Sequence, residues 1–310
     1  NQVVQSIRRL AASNVRTITS TGALTADDAG TVYVDATGGA VAITLPAVGA
    51  ANGIPLRYQV IRKDATANSV TISRAGSDAF QPGSQTSLSL VGEEAVLIVG
   101  DGSAAWRATR YQDSPWITVG AGTSSATMPA GYTGVEVELI GGGGGAGGCN
   151  ATYAGGGGGA GGTVRKDARG QVPGTSYSFT VGAGGAGGTG GAAGTDGGNS
   201  SFSGGGLSLA AGGGKGGAWG TAPAGGLGGT ASGGDENILG GCGTDGYPAG
   251  VATGGNGGAS SQGGGGRAAS GTNATVQNGQ TPGSGAGAGY LNNVNGGTGA
   301  DGRLKYRWKA

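Results

Sequence analysis

An all-β fold is predicted: a short N-terminal helix, a small β-sandwich or barrel module, then a β domain enclosing a glycine-rich lattice of polyglycine II type. Three observations carry this expectation. Residues 15–111 hold short apolar/polar alternations separated by turn formers, the pattern of half-buried strands. Glycine is very unevenly spread: of 79 glycines in 310 residues, 15 precede residue 141 and 64 lie in 141–302. That tract is closed at both ends by strictly alternating segments, 135–140 and 303–309.

The elements follow in chain order. Val3, Val4, Ile7 and Leu10 recur at helical spacing and predict an amphipathic helix over 1–13, with the unit bounded at 14. Thirteen residues are marginal alone in water, so the stripe needs cover: either an adjacent domain or a parallel bundle of identical helices. The β module spans 15–112. Its predicted strands are 31–35, 40–45 (stopped by Pro46), 56–62, 69–73, 87–90, 95–99 and 106–109. About 95 residues can close one modest core.

The distal unit spans 113–310. Strands are predicted at 116–119, 124–128, 135–140, 162–168 and 176–181. The last, 303–309, puts Leu304, Tyr306 and Trp308 on one face and Arg303, Lys305, Arg307 and Lys309 on the other. Its expected neighbour is 135–140, with Val135, Val137 and Leu139 inside and Glu136 and Glu138 outside. Acidic and basic side chains then face each other across the pair, worth roughly 0.2–1 kcal/mol each. The glycine tract becomes a long excursion between two neighbouring strands.

Ordering 64 glycines carries a handicap on the order of 30–60 kcal/mol relative to alanine, which favours a disordered tract. Against disorder stand the sparse charge, eleven charged residues in 162, and the recurring apolar residues such as Phe202, Leu209 and Trp219. An ordered tract fits neither helix nor sheet. The remaining regular form is an extended threefold helix without internal hydrogen bonds, so each buried N–H and C=O pairs with a neighbouring segment. The runs 141–148, 155–162, 182–191, 212–217 and 254–258 are the expected rods, with loops at their ends.

The composition excludes much chemistry. With no histidine, imidazole-based triads and HExxH zinc sites are ruled out. A net charge of +1 lacks the footprint of a nucleic-acid binder. No apolar run is long enough to span a bilayer. Matches to GxGxxG are expected by chance at this glycine content, and Lys215 lacks the rest of a phosphate loop. Cys149 and Cys242 are read as two small buried thiols or as one bridge. Asp27-Asp28 and Glu93-Glu94 read as solvated turn residues. No catalytic, metal or cofactor site is expected, and nothing points to an enzyme.

The loop aromatics are the candidates for binding. Trp219, Tyr247, Tyr153 and Tyr290 stand among Gly, Ser and Asn, the composition of binding loops; covering the glycine rods is the competing role. Asp235, Glu236 and Asn237 form the acidic cluster of the tract, read as a ligand for a cation or sugar hydroxyls or as an exposed loop. The expected contact surface is Trp219, Tyr247, Tyr153, Asp235, Glu236, Asn237 and Asn292.

The segments Gly22-Ala-Leu-Thr-Ala-Asp-Asp-Ala-Gly-Thr-Val-Tyr-Val-Asp35, Ala42-Ile-Thr-Leu-Pro46 and Gly100-Asp-Gly-Ser-Ala-Ala-Trp-Arg107 resemble the β modules of tailed-phage tail fibres. The distal unit, with Pro173-Gly-Thr-Ser-Tyr-Ser-Phe-Thr-Val-Gly-Ala-Gly-Gly185 and Asp301-Gly-Arg-Leu-Lys-Tyr-Arg-Trp308, resembles their glycine-rich tip and is similar in composition to the adhesins of T-even-type phages. The resemblance implies a homotrimeric fibre on the virion, joined to other tail proteins, whose loops bind a bacterial surface polysaccharide or outer-membrane protein. A secreted bacterial surface or matrix protein is the alternative. A glycan-degrading tailspike would need two carboxylates about 5–9.5 Å apart across a sugar bond, and no such pair stands out.

Overall fold

The computed structural model describes residues 14–51, 53–81, 85–150, 152–247, 253–270, 275–290 and 293–310. The helix expected over 1–13 lies outside them, and residue 14, placed at its end, instead opens a strand. Among the described residues the architecture is β throughout, with two short 3-10 turns, Ala26–Asp28 and Val48–Ala51.

The first ten strands are β1 (Asn14–Ile18), β2 (Gly22–Ala23), β3 (Gly30–Val34), β4 (Val41–Thr44), β5 (Arg57–Arg62), β6 (Val70–Ser73), β7 (Ala79–Gln81), β8 (Ser87–Leu90), β9 (Ala95–Gly100) and β10 (Ala105–Arg110). They form two sheets, β1-β3-β5-β9-β10-β7 and β2-β4-β6-β8. The first six strands alternate between the sheets, and neighbours within each sheet run parallel. Parallel neighbours need a crossover, and here the opposite sheet supplies it. The module is therefore a sandwich with a coiled start, continued by antiparallel β8, β9 and β10, with β7 added parallel to β10 at the edge. Alternating residues such as Val32, Val60, Ile98, Ile43, Ile72 and Leu88 point between the sheets and are buried. Trp106 and Tyr58 fill the centre with ring centroids 5.8 Å apart.

Of the two acidic pairs read as solvated turn residues, Asp27 and Glu93 are exposed as expected, whereas Asp28 is half-buried and Glu94 is buried. Asp28 accepts hydrogen bonds from Thr25 N–H and from Arg16 Nη1 at the first 3-10 turn. Glu94 is buried, because its carboxylate ties the module to the chain that follows. It accepts from Arg110 Nη1 at 2.6 Å, Tyr132 Oη at 2.5 Å and Val91 N–H at 2.8 Å. Arg110 also donates through Nε to Ala130 O, and its guanidinium lies 4.4 Å from the Tyr132 ring centroid.

Turn carboxylates make the module acid-sensitive. The Arg62 guanidinium, the Thr66 hydroxyl and Ala36 N–H hold Asp64 well below the usual carboxylate range. Backbone N–H groups of Ser103 and Ala105 bring Asp101 down to about 2. Both pKa values are lowered on folding, so the stabilisation is present above the unfolded value near 4 and is lost as pH falls through the folded values. The denaturation midpoint should stay level from pH 8 to about 5 and fall between about 4 and 2. Asp101→Asn should narrow its gap to the wild type over that fall; a constant gap would refute the assignment.

The distal strands are β11 (Ile117–Val119), β12 (Gly122–Thr127), β13 (Gly134–Ile140), β14 (Thr163–Arg169), β15 (Ser176–Val181), β16 (Ser200–Gly204), β17 (Leu207–Ala211), β18 (Ala231–Ser232), β19 (Glu236–Ile238) and β20 (Arg303–Lys309). They form two further sheets, β11-β20-β13-β14-β19 and β12-β15-β16-β17-β18. β13 and β20 are neighbours as expected; they run antiparallel, with Glu136 opposite Arg307 and Glu138 opposite Lys305. Glu136 binds Arg307 at 2.7 Å, whereas Glu138 reaches the diagonal neighbour Arg303 on β20 and Arg165 directly opposite it on β14. On the inner face, Tyr177, Phe179, Phe202, Tyr306 and Trp308 stack with centroids 5.3–6.4 Å apart.

From β13 the chain runs straight on as rod 141–149, turns, and returns as rod 155–162 into β14. Successive residues of the first rod donate to three different neighbours: Gly141, Gly144 and Gly147 to segment 156–162; Gly142, Gly145 and Gly148 to 192–198; Gly143, Ala146 and Cys149 to 294–300. Its carbonyls accept from 182–188, 212–218 and 283–289. Six neighbours and a period of three residues define the polyglycine II packing. The returning rod is likewise enclosed, by 141–149, 212–218, 224–230, 240–246, 253–259 and 283–289. Every residue of both rods is buried.

Closeness, not unusual dihedrals, demands glycine here. No glycine of the two central rods has a positive φ, yet a Cβ at Gly144 would lie 2.1 Å from Lys215 O. In the outer rods one position in three faces solvent. Segments 183–190 and 224–229 accordingly repeat exposed, half-buried, buried, and residues such as Ala186, Lys215, Leu227 and Asn256 occupy the outward place.

Candidate functional site

The rods have two ends, and the turns at each end differ in chemistry. Near the sheets the connections are β-hairpins and edge strands. At the far end lie the turn around Asn150–Tyr153, the turn at Gly190, the loop carrying Trp219, and the segments bearing Tyr247 and Tyr290.

Asn150 builds the first of these. Its Oδ1 accepts the N–H of Thr152 and Tyr153, each at 2.8 Å, and its own N–H donates to Tyr153 O. Beside it, Cys149 Sγ donates to Val294 O and accepts Val294 N–H. Burial pushes the Cys149 thiol up. The two cysteines are not bridged to each other; Cys149 is buried as expected, whereas Cys242 is exposed because it occupies an outward place of rod 240–246.

Trp219 and Tyr153 meet edge to face, centroids 6.1 Å apart. Trp219 bridges Gly155 through its backbone, and its indole lies over Gly191, where an added Cβ would be 2.7 Å from the ring. Both rings are half-buried. They cover the rod ends while leaving an edge to solvent. Tyr247 is different: it is 58% exposed, and its backbone N–H donates to Thr253 O.

Tyr247 stands at a groove of about 710 Å³ lined also by Thr244, Asp245, Asn256 and Arg267. Asp245 Oδ1 accepts Gly225 N–H, which anchors the loop. Asn256 N–H donates to Thr244 Oγ1, and Asn256 Oδ1 accepts Ala268 N–H, so three neighbouring segments are stitched together beneath the groove.

The acidic candidates are elsewhere. Glu236 and Asn237 belong to β19, the edge strand paired with β14 at the sheet end of the rods, with Asp235 immediately before it. The rod 155–162 separates them from Tyr153 by about 20 Å at 3.1 Å per residue. Asp235 binds Lys166 at 2.5 Å and accepts Asp167 N–H; Glu236 binds Arg165 at 2.9 Å; Asn237 closes a turn onto Gly234. Lys166 keeps the Asp235 carboxyl below its ordinary value. These three residues seal a sheet edge that would otherwise present unpaired backbone, and they do not join the aromatic end. Asn292 lies outside the described residues.

Of the expected contact surface, then, Trp219, Tyr153 and Tyr247 share one end. Arg267 and Asn256 were not singled out in the sequence. Arg267 had a signal: it is the sole cation between Lys215 and Arg303. Asn256 had none, since its outward place becomes apparent only with the threefold register of the rods.

A family model described as a glycine-rich domain matches residues 118–309, more than half of the chain. No curated protein matches it.

Proposed function

This chain belongs to the glycine-rich domain family, and from that premise we propose that it is the distal, receptor-binding part of a bacteriophage tail fibre. The observation that supports the reading is the gathering of Tyr153, Trp219 and Tyr247 on turns at one end of a lattice whose two central rods are hydrogen-bonded to neighbours on every side. A stiff scaffold lowers the ordering cost of its loops on binding. Rings with two rotatable bonds add contact area at low entropy cost. The mechanism is non-covalent attachment to a bacterial polysaccharide or outer-membrane protein. Assembly as a homotrimer on the virion would raise weak single contacts to useful avidity.

The test is binding of fluorescently labelled protein to a panel of bacterial cells with and without surface polysaccharide. Binding to some strains is expected. Tyr247→Ala should reduce it while shifting stability by less than about 0.5 kcal/mol, as surface substitutions do. Trp219→Ala should reduce it too, with a measurable loss of stability from the uncovered Gly191 and Tyr153. Absence of binding to every strain would overturn the reading and favour a matrix role.

A further inference from the structure

We propose that the groove beside Tyr247 is a saccharide subsite selective for carboxylate-bearing sugars, with Arg267 as the anion-binding residue; this rests on the receptor-binding reading and deepens it. Arg267 is exposed, and among the described residues no carboxylate lies within ion-pairing distance of its guanidinium. The other cations of the glycine tract are all spent. Arg165 binds Glu138 and Glu236, Lys166 binds Asp235, Arg169 binds Asp167, and Lys215 binds Asp196. A planar guanidinium with free donors is matched to a carboxylate, which it takes through two parallel hydrogen bonds.

The remaining lining matches the rest of a sugar. The Tyr247 ring is a flat apolar face open to solvent. Around it stand Thr244, Asp245 and Asn256, short polar groups suited to ring hydroxyls. Asp245 uses Oδ1 on Gly225 N–H, and among the described residues Oδ2 has no partner, so it is placed to accept a hydroxyl. Among the described lining residues Tyr247 is the one large apolar side chain. A protein partner would call for an apolar interface centre with several buried anchors, whereas a sugar offers one apolar face ringed by hydroxyls. At about 710 Å³ the groove is within the range of small-ligand sites, about 300–1,000 Å³.

The experiment titrates the full chain, by calorimetry and saturation-transfer NMR, with oligomers of glucuronic acid and of N-acetylneuraminic acid and with the same oligomers after reduction of their carboxyl groups. At least one acidic oligomer should bind, and its reduced form should bind at least tenfold more weakly. Arg267→Ala should remove that preference and Arg267→Lys should restore part of it, both with wild-type thermal unfolding. Failure of both acidic oligomers to bind, equal binding of reduced forms, or an unaltered preference in Arg267→Ala would overturn the proposal. So would capture of an outer-membrane protein through this groove with no saccharide binding. The cell panel keeps the two readings apart. Wild type that binds cells, with Arg267→Ala binding them equally, sinks the subsite and leaves the receptor-binding reading standing; no cell binding at all sinks the latter, and the titrations then judge the groove by themselves.

Discussion

Gly145→Ala is expected to cost at least about 3 kcal/mol, the upper range for overpacking, while Gly264→Ala in the same tract should be neutral or stabilising by up to about 1 kcal/mol. The difference is steric. A Cβ at Gly145 would lie 1.9 Å from Ala186 O and 2.4 Å from the carbonyl carbon behind it. A Cβ at Gly157, in the other central rod, would lie 1.9 Å from Asn256 O. Neither contact is the end of a flexible side chain. Each is a backbone carbonyl in a rod that is itself held on other sides by hydrogen bonds every third residue, so relief requires moving that whole rod. Interiors packed this densely do not absorb such shifts locally. At Gly264 nothing lies within 4 Å and φ is not positive, so alanine only restricts the unfolded chain. Denaturant titration of the three variants measures the contrast, and Gly157→Ala should behave like Gly145→Ala. Amide exchange gives the independent check. The N–H groups of 141–149 and 155–162 should be among the slowest in the chain, since both rods are buried at every residue. Equal stability of Gly145→Ala and Gly264→Ala, or fast exchange along the central rods, would refute a knitted lattice.

The sequence was legible wherever a strand carries its own alternation. Arg303–Lys309, Ser176–Val181 and Ser87–Leu90 coincide with the observed strands, because in each the inward residues are large and the outward ones polar or charged. It was silent where packing is done by small residues. Ser200–Gly204 and Leu207–Ala211 contain Phe202, Leu209 and Ala211 as inward residues, yet their Ser, Ala and Gly neighbours are poor strand formers in isolation. Asn14–Ile18 buries only Ile18, and so offers no period to detect. The lattice was legible in kind and illegible in extent. Unbroken glycine runs exposed rods 141–148 and 155–162, which touch neighbours on all sides. The outer rods 224–230, 240–246 and 294–300 need glycine at two places in three and read as irregular loop. The site divides for the same reason. Aromatics at turns follow from the ends of glycine runs, but which end a turn occupies depends on how many rods the chain has already laid down. The acidic triplet 235–237 falls at the sheet end on that count.

Arg110→Met is expected to destabilise the protein by about 3–5 kcal/mol, the cost of breaking a buried ion pair from one side. Arg110 and Glu94 side chains are 2% and 7% exposed. Removing the guanidinium leaves the Glu94 carboxylate without its cation at a point shut off from water, and frees the Ala130 and Ser89 carbonyls that Arg110 now satisfies. The rotation of Glu94 out to solvent is opposed by its other bonds, since its oxygens also receive Tyr132 Oη and Val91 N–H. Burial keeps the Tyr132 hydroxyl protonated far above the ordinary tyrosine range, so it remains a donor and cannot stand in for the missing charge. Gly131 leaves the replacement little room to shift. It adopts φ +88°, and a Cβ there would lie 2.9 Å from Arg110 Cγ, so glycine at this place makes room for the stem and the chain passes close beside it. The consequence reaches beyond one side chain. Arg110 ends the β module, whereas Ala130 and Tyr132 precede the first long strand of the glycine-rich part, so the pair clamps the two against each other. Adding Glu94→Gln to Arg110→Met removes the stranded charge while keeping an acceptor for Tyr132 or Val91. The double variant should therefore recover a substantial part of the loss, more than 1 kcal/mol of coupling in a double-mutant cycle. Denaturant titration of the four proteins reads the cycle directly. A loss below about 1 kcal/mol for Arg110→Met, or strictly additive effects, would mean that the carboxylate finds water or another donor once the arginine is gone, and the clamp would then rest on apolar packing alone.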